Sequence, residues 1–147
     1  MNCPKIDCHT HIVNQEIYDQ YLATSASENY ALVMEFLPHM TTEALPDHAW
    51  DLCDGSEKLF LCPCVDIHRD IPAQLAAIEE KMRARPGCRV VGLKIFLSYQ
   101  TGRADDARML PIYHFAKKHR LSVTFHTGYP SYHLPYENDM EGSKVKY

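Results

Sequence analysis

Three histidines and a lysine carry most of the chemistry this sequence can offer. His9 and His11 stand one residue apart at the end of an apolar stretch, Lys5-Ile6-Asp7-Cys8-His9-Thr10-His11-Ile12. On a strand, side chains at i and i+2 leave the same face, which would group Asp7, His9 and His11 and set Cys8 and Thr10 opposite. Two imidazoles aimed at one point can hold a transition metal. The pair alone fits a polar strand end equally well, because His-x-His is short and common. His126 closes a second apolar stretch, Leu121-Ser122-Val123-Thr124-Phe125-His126, and Lys94 lies within a third, Arg89 to Leu97.

What must position these residues is a repeat of strand and helix. Apolar runs begin near residues 5, 30, 58, 89 and 121. The spacing of roughly thirty is that of a βαβ unit and implies a parallel sheet. Between the runs lie helical patterns: Gln15 to Ala23, a short or irregular helix within Thr41 to Asp54 ended by Gly55, and a stripe of Ile71, Leu75, Ile78 and Met82. That stripe opens with Asp70 as N-cap and Pro72 in the first turn, and Pro86-Gly87 ends it. A fourth helix carries Ile112, Phe115 and Ala116 after Pro111 and finishes in Lys117-Lys118-His119-Arg120. Pro63, inside the third strand, cannot donate to a ladder, so an irregularity is expected there. Residues 129–147 lack periodicity and read as loop.

In parallel β/α architectures, chemistry gathers at the carboxyl ends of the strands. His9, His11 and His126 all fall there. Alternation sends Val91, Leu93, Ile95 and Leu97 toward the helices and turns Gly92, Lys94 and Phe96 to the other side. On the last strand it separates Leu121, Val123 and Phe125 from Ser122, Thr124 and His126 in the same way. A lysine buried on the interior side is costly unless paired, hydrated or chemically altered. Asp7 and Glu35 are its candidate partners. Asp7 is also placed to orient an imidazole.

The remaining composition narrows the field. A chain of 147 residues is one domain, and 46% apolar with 23% charged residues is ordinary for a globular protein. A net charge of −4 gives no basic stripe for nucleic acid, and the basic run at 117–120 suits a helix C-terminus. No apolar run is long enough to span a membrane, and no signal peptide is visible. Six cysteines without a regular framework read as reduced thiols in the cytoplasm, with Cys62 and Cys64 as buried apolar cysteines.

Taken together, Ile6-Asp7-Cys8-His9-Thr10-His11, Val91-Gly92-Leu93-Lys94-Ile95, Pro111-Ile112-Tyr113 with Ala116, and Phe125-His126-Thr127-Gly128 resemble the amidohydrolase superfamily, in its amidohydrolase-related metal-dependent branch. The resemblance implies a parallel β/α barrel of the TIM type with a divalent metal, most often zinc. His9, His11 and His126 would be metal ligands. Lys94 stands where some members carry a carboxylated lysine, and a substrate-binding or electrostatic role is favoured for it. A complete barrel runs to about 250 residues, so the expectation is about five of eight β/α units. The family's later histidine and its proton-accepting aspartate have no counterpart here, since Asp139 falls in the loop past the fifth strand. The chain is then expected to be the N-terminal part of a larger enzyme, inactive by itself, or completed by another chain or a second copy. Three functions stay open: metal-dependent hydrolysis of an amide or ester-like bond in a small molecule, non-oxidative decarboxylation of a small unsaturated or aromatic acid, and a non-catalytic metal-binding or interaction module.

Overall fold

A computed structural model of the chain describes residues 5–24, 29–37, 40 and 47–128. Strands and helices alternate as β1 (Ile6–Thr10), α1 (Gln15–Thr24), β2 (Tyr30–Met34), α2 (His48–Asp54), β3 (Leu59–Cys62), α3 (Ile71–Ala84), β4 (Gly92–Ile95), α4 (Leu110–His119) and β5 (Ser122–Phe125), with a 3₁₀ turn at Ala107–Met109 before α4. All ladders are parallel: β1 on β2, β2 on β3, and β4 on β5. The fold is mixed α/β. The expected loop at 129–147 and the early part of the second helix, 41–46, lie outside the described residues.

The strands form a three-stranded and a two-stranded sheet, and the described residues do not close into the expected barrel. The seam falls between β3 and β4, where only Leu61 with Val90 and Cys64 with Lys94 make isolated parallel bridges. Pro63 is the physical reason. It has no N–H to give, and it contributes only its carbonyl, which accepts from Lys94 N–H at 2.7 Å. Beside the seam, Gly92 has no room for a side chain: a Cβ there would collide with Ser122 Oγ and lie 3.0 Å from Cys62 Sγ.

One face of the strands meets the helices. Ala31 and Val33 of β2, Leu59 and Leu61 of β3, and Leu93 and Ile95 of β4 are buried in one cluster with Trp50, Leu75, Ile78, Ile112 and Phe115. Burying each of the Val, Leu, Ile and Phe side chains contributes about 1.5–3 kcal/mol. Leu121, Val123 and Phe125 pack against the same cluster, as alternation requires. Lys94 and Phe96 are buried but lie outside it, on the other side of β4.

Local signals explain most helix ends. Asp70 Oδ1 accepts from Ala73 N–H at 2.9 Å, capping α3 as its sequence indicates. Asn14 does the same for α1 through Ile17 N–H, also at 2.9 Å. The basic end of α4 is tied sideways as well, by Lys118 Nζ on Glu79 at 2.7 Å. Among the described residues, no helix is long and apolar enough to cross a membrane.

Candidate metal centre

Strict alternation fails on β1, and the failure shapes the site. Asp7 pairs with Ala31 while Thr10 pairs with Val33, so three steps along β1 match two along β2. The extra residue is a bulge, which re-aims side chains at strand ends. Asp7 does not orient an imidazole: its Oδ1 accepts from the His9 backbone N–H at 3.1 Å and so holds the bulge.

Past the bulge the two histidines converge. His9 Nε2 and His11 Nε2 are 3.2 Å apart. Two nitrogens on one tetrahedral zinc, at the usual Zn–N length, would be about 3.3 Å apart. His11 Nδ1 lies 2.7 Å from the Met34 carbonyl at the end of β2. A carbonyl can only accept, so the proton sits on Nδ1 and the Nε2 lone pair faces His9 Nε2. This is the tautomer a metal-binding imidazole needs, held by the type of partner that metal-bound histidines usually have. Phe36 stacks on the same ring at 4.0 Å and 12°. Burial, with His9, Lys94 and His126 nearby, lowers the His11 pKa to about 4 despite the opposing Met34 carbonyl. The ring is therefore neutral at neutral pH. His9 is also lowered, by burial and then by Lys94, with Asp7 opposing.

His126 follows β5 directly, and its N–H is bonded to Ile95 O at 2.8 Å, which ties it to β4. Its Nε2 is buried without a partner among the described residues. Burial first, and then Lys94 and His9, depress its pKa. The Phe96 ring is the common neighbour, 5.5 Å from the His126 ring and 6.4 Å from that of His11. Among the described residues, no three His, Cys, Asp or Glu side chains come close enough to hold one ion together. His9 and His11 thus fit a shared metal, and His126 stands beside the pair with an unused nitrogen.

Lys94 is 0% exposed, and its Nζ has no hydrogen-bond partner among the described residues. The ion pair considered from the sequence is absent. Asp7 is held by the β1 bulge, and the Glu35 carboxylate accepts from Cys64 N–H at 3.3 Å. What Lys94 does have is the Phe96 ring, 4.9 Å from Nζ. Burial lowers its pKa, with the Cys64 and Cys62 thiols opposing.

A second polar cluster escaped the sequence reading. Asp66, buried just beyond β3, accepts from His68 N–H at 2.9 Å and from Gln100 Nε2 at 2.6 Å, and Arg69 Nε lies 3.3 Å from it. The Gln74 amide bonds both the N–H and the carbonyl of Asp66, and His68 Nε2 meets Gln100 O at 2.7 Å. The network fastens the loop after β3 to the loop after β4. The only advance signal was an Asp and a His near a strand end, a pattern too common to single out. Beside it a cleft of about 600 Å³ runs past Met34, Glu35, Phe36, Trp50 and Asp66.

No known protein family, curated protein or solved structure matches the chain.

Proposed function

We propose that the chain is part of a metal-dependent enzyme of the amidohydrolase type, built on a parallel β/α barrel, with His9 and His11 as ligands to a divalent ion such as zinc and His126, which stands beside the pair but outside its reach in this arrangement, as the ligand that a shift of its ring toward the ion would add. The observation that carries this is the convergence of His9 Nε2 and His11 Nε2 at 3.2 Å, with the His11 tautomer held by Met34 O. The barrel reading rests on neighbouring order: β1, β2 and β3 lie side by side in sequence order, as do β4 and β5, all parallel. Each strand of a barrel wall sits so between its chain neighbours.

A bound ion would lower the pKa of its water to about 7 and polarise a carbonyl. His11 stays neutral and keeps its lone pair for the ion. Phe36 and Phe96 exclude water from one side of the pair. Lys94, enclosed and unpaired, favours negative charge developing beside it, which fits attack on an amide or ester-like carbonyl in a small molecule. A second reading is favoured by the same lysine: its enclosed charge, close to the His11 and Phe36 rings, would also attract the carboxylate of a planar unsaturated or aromatic acid held at the pair, as a non-oxidative decarboxylase needs.

Zinc titration of the metal-free chain against a competing chromophoric chelator tests the centre. We expect binding that weakens about 100-fold or more in His11→Ala and His9→Ala. Equal binding by wild type and both variants refutes the assignment. Assays on the zinc-loaded protein with simple esters, lactones and amides, and with aromatic acids followed by CO₂ release, separate the two enzymatic readings. Tight zinc binding with neither activity favours a non-catalytic module.

A further inference from the structure

We propose that Cys53 and Cys88 form a redox-active dithiol that closes to a disulfide under mild oxidation, clamping the end of α2 to the segment that enters β4. The two residues are 35 positions apart in the chain, yet both are buried in one cluster, Cys88 N–H bonds the residue next to Cys53, and the two thiols lie close enough to interact. Cys53 is fully buried and Cys88 is 7% exposed.

The backbone on both sides is pinned. Cys88 N–H donates to Asp54 Oδ1 at 2.9 Å and is also 3.1 Å from Arg85 O, while Cys53 O accepts from Ser56 N–H. Gly87 lies so close to α2 that a Cβ there would meet Asp54 O at 2.5 Å. Proximity fixed in this way is what a disulfide requires, since two cysteines held apart cannot be bridged without moving the backbone. Access comes from the same side: an open cleft of about 640 Å³ is lined by Asp54, Gly55, Pro86 and Gly87, the chain neighbours of both cysteines. The ordinary role of a buried cysteine is that of a small apolar side chain. A thiol pair in mutual contact beneath an open cleft goes beyond that role.

The chemistry also distinguishes the partners. Cys88 is the more exposed of the two, at 7% against 0%, so an oxidant reaches it first, and the neighbouring Cys53 thiol lowers its pKa; Cys88 is the attacking thiolate. Cys88 S⁻ attacks one sulfur of glutathione disulfide, whose S–S bond breaks and releases one glutathione thiolate. Cys53 then loses its proton to that thiolate and attacks the Cys88 sulfur, expelling the second glutathione as a thiolate, which takes up from water the proton that Cys88 released on ionising. The protein dithiol gives up two electrons and two protons, and the glutathione disulfide gains them as two thiols. The other described thiols are differently placed. Cys8 is exposed on β1, and Cys62 and Cys64 flank Pro63 beside Lys94, with pKa values raised by burial.

The test is a peptide map of the whole chain, reduced, freed of reductant and incubated folded with glutathione disulfide, then alkylated and digested without reduction. A Cys53–Cys88 linked peptide is expected, about 2 Da lighter than the two reduced peptides together. It should vanish with dithiothreitol and be absent from Cys53→Ser and Cys88→Ser. The linked form should unfold roughly 10 °C above the reduced form, from the loop it closes. If Cys53 and Cys88 both carry the alkyl label, or Cys88 keeps glutathione without passing it on, the proposal fails. It fails too if the linkage forms only in denaturant, or if the linked form unfolds at a lower temperature. The wild-type map decides the matter even where a serine variant does not fold.

Discussion

Replacing Lys94 by methionine separates a lysine kept for chemistry from one kept for the fold. Lys94 is 0% exposed, with no hydrogen-bond partner for Nζ among the described residues. Enclosing an ammonium group costs several kcal/mol even after relaxation. The Phe96 ring, 4.9 Å from Nζ, returns up to about 2 kcal/mol. Methionine has nearly the same length and carries no charge. Lys94→Met should therefore stabilise the chain by about 2 kcal/mol, or about 4–8 °C in the thermal midpoint. The sign of the pH dependence follows from the depressed pKa. Below its usual 10.5 and above its folded value, Lys94 holds fewer protons folded than unfolded, so wild-type stability rises with pH through that window. The penalty is fully present below the folded pKa and gone above 10.5, so the advantage of methionine shrinks as pH climbs toward 10.5. Urea titrations of both proteins at pH 7, 9 and 10.5 measure this. A variant less stable than wild type at pH 7 would mean the amine is satisfied by an ordered partner, and the electrostatic role given to Lys94 would fall with it.

Glu35→Gln should gain on wild type as pH rises. Burial raises the Glu35 pKa above 4.5, with Cys64 N–H opposing, so the folded state holds the extra proton and wild-type stability declines as pH climbs through the folded value; parallel urea curves at pH 4.5 and pH 8 with an unchanged gap would contradict this. Gly92→Ala should cost about 1–3 kcal/mol by collision with Ser122 Oγ and crowding against Cys62 Sγ. Adding Ser122→Ala should restore part of that loss, and strictly additive unfolding free energies in the double-mutant cycle would remove the collision as the cause.

How far the sequence reached depends on how local each cause is. The helical stripe of Ile71, Leu75 and Ile78, the Asp70 cap and the Gly55 stop act within a few residues, and the structure has each of them. Period-two alternation placed Leu93 and Ile95 in the core and Lys94 outside it, because β4 runs without a bulge between Gly92 and Ile95. Applied to β1, the same rule grouped Asp7 with the histidines, and the bulge overruled it. Pro63 announced an irregularity, but not that the sheet would divide there.

By itself, then, the sequence determined the parallel β/α alternation, the helix ends, and the carboxyl-end position of His9, His11 and His126, since these follow from periodicity and capping within one element. The tertiary structure alone decided which atoms meet. Met34 O fixes the proton of His11, Asp66 joins Gln100, Cys53 reaches Cys88, and Lys94 is left without the carboxylate its sequence context offered. Three of these depend on residues 23 to 35 positions apart. Pairings at that range are set by strand register and helix packing, and a register shift of one residue is enough to change them.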